Sequence, residues 1–152
     1  MLKARFTDKD IAVYLAKKVE LIHQAIINRL QALGEECINN ARLEGSYTDQ
    51  TGNLRASIGY IIVSNGKVVK RSSYSGSFGK GGAEGKKAAR DLLDELVSKY
   101  SSGIALIVVA GMNYAAKVES MGKNVLSSAE HYAEAELPGM LKQLKSNIRK
   151  MK

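Results

Sequence analysis

The sequence predicts an α+β fold, with a long N-terminal helix and shorter helices packed on one face of a small, mostly antiparallel sheet. Three observations predict it. Apolar residues recur at helical spacing up to Glu44, an Asn65-Gly66 turn joins two β-rich stretches, and an apolar run of strand length fills 104–110. All of this fits one domain over residues 1–152.

The elements follow in order. Thr7-Asp8-Lys9-Asp10 has the form of a capping box, with the Thr7 hydroxyl accepting from the Asp10 amide. After it Ile11, Leu15, Val19, Ile22, Ile26, Leu30, Leu33, Cys37 and Ala41 recur every three or four residues. A helix of that extent is about 55 Å long. Gly34 is where it should bend or break, because glycine weakens a helix by roughly 1 kcal/mol. Heptad spacing holds over only part of the stripe, so packing on the chain's own sheet is expected rather than a coiled coil.

Gly45-Ser46 ends the helix, and Tyr47 to Ser57 reads as a turn entering a strand. Asp49 and Asn53 can bond nearby backbone there, and Gly52 tolerates positive φ. Strands are expected at 56–64 and 67–73, joined by a type I′ turn at Asn65-Gly66. Residues 74–86 are rich in Gly, Ser and Lys and read as a mobile insertion. Ala88, Leu92, Leu93, Leu96 and Val97 give a short amphipathic helix. The run 104–110 reads as a buried central strand. Helical pattern returns at 114–119 and 129–150, interrupted by Pro138-Gly139, and a basic helical segment occupies 138–152.

Composition narrows the function classes. The single cysteine, Cys37, excludes a disulfide framework within one chain and reads as a small buried hydrophobe. The first ten residues lack the apolar core of a signal peptide, and the run 104–110 is too short to span a bilayer. A soluble chain made for a reducing cytoplasm is the expectation. The net charge of +8 is uneven: seven basic residues against one acidic in 64–90, and five against none in 138–152. Residues 91–137 carry a net −4 between them. Basic stretches attract nucleic acid, but no aromatic residues interleave the basic tail, so solvated surface charge is the preferred reading.

No constellation for catalysis emerges. The stretch Gly79-Lys80-Gly81-Gly82-Ala83-Glu84-Gly85-Lys86-Lys87 fails the P-loop spacing, since Lys80 stands where a glycine is needed and Lys87 where Ser or Thr is needed. His23 and His131 have no metal-ligand partner at helical spacing. Asp91, Asp94 and Glu95 read as a solvated helix face. Catalytic residues, cofactors and metals are therefore expected to be none.

Two segments carry a family resemblance. Thr51-Gly52-Asn53-Leu54-Arg55-Ala56-Ser57-Ile58 follows the long helix, and Tyr114-Ala115-Ala116-Lys117-Val118-Glu119 follows the run 104–110. In order and spacing they resemble the tail-completion, or neck, proteins of long-tailed bacteriophages. The matched positions are Thr51, Gly52, Leu54, Arg55, Ser57 and Ile58, then Tyr114, Ala115, Val118 and Glu119. Two stretches depart from the family pattern: Ser120-Met121-Gly122-Lys123 replaces an aromatic-Gly-Thr turn, and residues 75–100 read as a lengthened insertion. The resemblance implies a non-enzymatic structural component of a phage or prophage virion, at the head–tail junction or the top of the tail. It implies a homo-oligomer, a ring on assembly, with other phage neck and tail proteins as partners and DNA passing close by without specific contact. It places the chain in the virion, and in the host cytoplasm during assembly, with no membrane. For Glu119, the residues themselves leave open a cap on backbone amides, a partner for Arg55, or an exposed helix glutamate. The alternative function is a small basic nucleic-acid-binding module.

Overall fold

A computed structural model describes residues 5–73 and 81–151 of the chain. Eight elements follow one another: α1 (Asp8–Leu43), α2 (Asn53–Ala56), β1 (Ile58–Ser64), β2 (Lys67–Arg71), α3 (Ala83–Val97), β3 (Ile104–Ala110), α4 (Ala115–Ser120) and α5 (Ser127–Lys150). The sheet is antiparallel with order β2-β1-β3. The α+β class and the long helix on a small antiparallel sheet are as the sequence predicts.

The hairpin turn is also as expected. Asn65 and Gly66 both have positive φ, 48° and 78°, as a type I′ turn requires. Asn65 then ties the turn to the start of β3, exchanging backbone and side-chain hydrogen bonds with Gly103.

Several expectations need correction. The central strand is β1, not 104–110: all seven of its residues are buried, and it pairs with β2 and β3 on its two edges. β3 is apolar because both its faces are covered, while one of its edges is open among the described residues. Nor do the helices share one face. Ile58, Tyr60 and Ile62 of β1 pack with Leu33, Cys37, Ile38 and Ala41 of α1 and with Ala129 of α5. The alternate residues Ile61 and Val63 pack with Leu93 of α3 on the opposite face. A strand covered on both sides loses the apolar/polar alternation that would have revealed it.

Gly34 does not break α1, which runs unbroken for 36 residues. Its missing side chain makes room: a Cβ there would lie 2.9 Å from the Tyr60 ring. Tyr60 in turn donates its hydroxyl to Glu35 at 2.7 Å, and burial, reinforced by that carboxylate, pushes the phenol pKa up. Cys37 is buried as expected, its thiol pKa raised by burial.

The apolar stripe of α1 covers the sheet over only part of its length. Residues from Ile27 onward supply the buried positions, whereas Ile11, Leu15 and Val19 are 49, 55 and 65% exposed. The cause is length. A seven-residue strand spans about 23 Å, and a 36-residue helix about 54 Å. α1 outruns the sheet by more than half.

α3 begins at Ala83, where the sequence suggested loop as far as 86. Residues 74–80, which hold most of the expected mobile insertion, lie outside the described residues. The first motif is not the start of a strand either: residues 53–56 form the helical turn α2, and β1 starts at Ile58. Pro138 sits inside α5 without interrupting it. α5 lies antiparallel along α1, held by Arg29 to Gln143 at 2.6 Å, by Cys37 Sγ to the Ala129 carbonyl at 3.6 Å, and by buried Leu144. That packing holds helix on both sides of a proline that removes one hydrogen bond and crowds the preceding turn.

Pro138→Ala should therefore stabilise the protein by about 2 kcal/mol, the restored helix bond and propensity outweighing the looser unfolded chain. Chemical denaturation checks it; a neutral or destabilising result would mean that α5 depends on the proline's local shape.

Candidate functional site: a joint between two motifs

The two motif segments meet. Leu54 is 3% exposed and shares one cluster with Tyr47, Ala115 and Val125, with Val118 packed beside it. Above this cluster lies a cleft of about 260 Å³ lined by residues that include Asp49, Thr51, Leu54, Tyr114 and Val118.

Several polar residues of the joint are bound to main chain, whereas the buried Tyr47 hydroxyl has no hydrogen-bond partner among the described residues. Asp49 accepts from the Arg55 amide at 2.8 Å and from the Leu54 amide at 3.4 Å, which caps α2 and explains why a helical turn forms there. Gly52 supplies the positive φ of 77° at the start of that turn. The Thr51 hydroxyl accepts from the Asn53 amide, and its carbonyl accepts from Gly81. Ser57 is buried and donates to the Leu54 carbonyl at 2.8 Å; its own carbonyl accepts from Gly111. Ile58 is buried, and its carbonyl accepts from Arg42 at 2.7 Å.

Arg55 reaches back to the end of α1. It donates to the carbonyls of Arg42 at 3.1 Å and Gly45 at 3.4 Å, with its guanidinium 5.1 Å from the Tyr47 ring centroid. A cation at a helix C-terminus meets the exposed carbonyl ends and the negative pole of the helix together. Tyr47 is mostly buried, and its phenol pKa is pushed up to about 12, chiefly by that burial.

Glu119 resolves to the capping alternative. Its carboxylate accepts from the amides of Val125 (3.0 Å), Leu126 (2.8 Å) and Ser127 (3.1 Å), and from the Ser127 hydroxyl. These groups open α5, so the glutamate of one helix caps the next. Partial burial pushes its pKa up, but the hydrogen bonds from Ser127, Leu126 and Val125 outweigh this and hold it below the ordinary glutamate value. Tyr114 stands at the head of α4; its pKa is raised by burial and by the nearby charges of Asp49 and Glu84.

Sequence reasoning missed the residues that lock this joint to α3. Asn53 accepts from the amides of Gly82 (2.7 Å) and Gly85 (3.4 Å) and donates to Glu84 at 3.1 Å. It caps α3 from a distant segment. A Cβ on Gly85 would lie 2.1 Å from the Asn53 carbonyl oxygen, and one on Gly111 would lie 2.4 Å from the Ala89 amide nitrogen. The available signal was the four-residue step from Gly85 to Ala89, which places two small residues on one helix face where backbones can touch. Asn124 completes the joint, donating to the Glu44 carbonyl and to the Ser46 hydroxyl.

Outside the joint, His23 lies 2.9 Å from the Ser64 hydroxyl, and His131 is exposed. Asp91 and Asp94 pair with Lys87 and Arg71 at 2.6 and 2.7 Å. Among the described residues, no group of His, Cys, Asp and Glu is placed to hold a metal, and no helix is long and apolar enough to cross a membrane.

Leu54→Ala should cost about 2–5 kcal/mol, because it empties the centre of the joint; a near-neutral midpoint in urea would mean the cluster carries no load. Glu119→Gln should cost about 1–2 kcal/mol at neutral pH, through weaker hydrogen bonds to three amides. Since the folded pKa is lowered, the carboxylate's contribution is fully present above about pH 4.5 and lost as pH falls through the folded value. The gap between wild type and variant should therefore close in acid. Unfolding curves between pH 7 and pH 3 measure this, and a constant gap would contradict it.

Comparison with family models, with curated proteins and with solved structures finds no match for this chain.

Proposed function

We propose that the chain is a non-enzymatic structural component of a phage or prophage virion, assembling at the head–tail junction or at the top of the tail. The observation that carries this reading is the joint itself. The two segments that resemble the tail-completion family are separated by 55 residues in sequence, yet they pack on each other around Leu54 and Ala115. Their charged side chains, Arg55 and Glu119, hold helix ends. A segment pair whose polar groups are spent on holding helix ends serves a building block better than a reaction centre, where polar groups must point at substrate.

The rest of the molecule supports the same reading. A rigid sheet-centred body carries an uncovered helix at one end, and such a body suits a protein that functions by contact. The alternative, a nucleic-acid-binding module, draws on the basic stretches. Arg71 and Lys87 of the first stretch face Asp94 and Asp91 instead, which removes part of its field.

Deletion of the gene from an inducible prophage should yield filled heads and free tails that fail to join, with infectivity restored by the gene in trans. Undiminished yields of intact infectious particles from the deletion strain would overturn the proposal.

A further inference from the structure

Among the described residues, two surfaces lack a partner. The first is the projecting part of α1. α5 runs antiparallel to α1 with Gln143 level with Arg29, so its last residue comes level with about residue 22. Residues 8–21 therefore extend beyond both the sheet and α5. Ile11, Tyr14, Leu15 and Val19 share one face of this arm, and all are about half exposed or more. Its tip is fixed: Thr7 and Asp10 form a complete capping box, and Phe6 lies with Ile11 at one apolar notch, as a hydrophobic staple does. With Phe6, the stripe offers roughly 600 Å² of apolar surface, close to one side of a standard protein interface, about 800 Å².

The second surface follows the open edge of β3. Two adjoining clefts of about 320 and 360 Å³ share Leu126 and Glu130. Their floor is small and apolar, with Val108, Ala110, Ala116 and Ala133 among the lining residues, so a helix can approach closely. Their rim carries the carboxylates of Glu119 and Glu130.

We infer that the α1 arm of one copy seats in the β3–α5 groove of a second copy of this chain. It rests on the assembly reading above for the identity of the occupant. The arm cannot fill its own groove. Cys37, which lines the groove, is 22 residues along one unbroken helix from Leu15, a separation of about 33 Å. An arm at one end and a socket at the other make a head-to-tail contact, which closes into a ring or continues as a filament according to the rotation it imposes.

Complementation between variants tests this. Leu15→Asp/Val19→Asp disables the arm, and Ala116→Arg/Glu130→Arg disables the groove; all four positions are exposed, and matching thermal unfolding confirms intact folds. In analytical ultracentrifugation up to about 1 mM, wild type should form species above two chains. Each variant alone should stay at the 16.5 kDa monomer mass. An equimolar mixture should give a dimer and nothing larger, since it contains one working arm and one working groove. A wild type that remains monomeric overturns the inference. So does a groove variant that associates as wild type does, which would mean arms pair with arms, and so does a mixture that stays monomeric. The virion reading fails separately: oligomers of this kind with a gene dispensable for particles would remove that reading and leave the arm-and-groove contact in place.

Discussion

Every residue of β1 is buried, so its two edges and its two faces have to be covered together. The edges take β2 and β3, which satisfy the strand's amides and carbonyls away from water. The faces take α1 with α5 on one side and α3 on the other. From this follow the main demands on the sequence. β1 must be apolar at successive positions, the helices must come close, and the chain must turn sharply where it enters and leaves the layers. Gly34 admits the Tyr60 ring against α1, and Gly111 lets the end of β3 pass the α3 backbone. A domain this small has few other ways to bury a full strand.

The layers are joined by elements too short to hold themselves. α2 has four residues and α4 six, so nearly all their backbone groups are end groups with no partner inside the helix. Charged and amide side chains cap α2 and the ends of the longer helices from elsewhere: Asp49 for α2, Asn53 for α3, Glu119 for α5, Arg55 for the carbonyl end of α1. Each such bond links two elements, so capping here is also tertiary structure. This accounts for the carboxylates and guanidinium of the joint being bound to main chain.

What was legible in the sequence divides along the same line. Local chemistry could be read: the Thr7 box, the Asn65-Gly66 turn, the helical stripe of α1 and the burial of Cys37 all depend on neighbours in sequence. What could not be read depends on distant partners. Asn53 turns apparent loop into the first turn of α3, and Asp49 turns an expected strand entry into α2. Two-sided burial erased the alternation in β1 that would have named the central strand. Gly34 and Pro138 read as breaks because propensity is a local quantity, whereas packing on both sides of each decides whether the helix continues. For the joint, the motif residues were identified in advance, but their contact around Leu54 and the capping role of Glu119 required the fold.

α1 shows why the body and the projecting arm are one design. An isolated helix of some fourteen residues is marginal in water, because nucleation is costly. The arm does not nucleate alone; it continues a helix already fixed against β1 from Ile27 onward, and the capping box closes its far end. It can thus remain helical without a surface of its own to lie on, and its apolar face is held in a set direction relative to the sheet. Anchorage at Gly34 and Cys37 fixes that direction as surely as it fixes the core. A flexible tail would lose its order each time it left a partner and regain it at an entropic cost on binding. A preformed arm avoids most of that cost, so the same contacts that bury β1 also set how strongly, and at what angle, this chain can engage a neighbour.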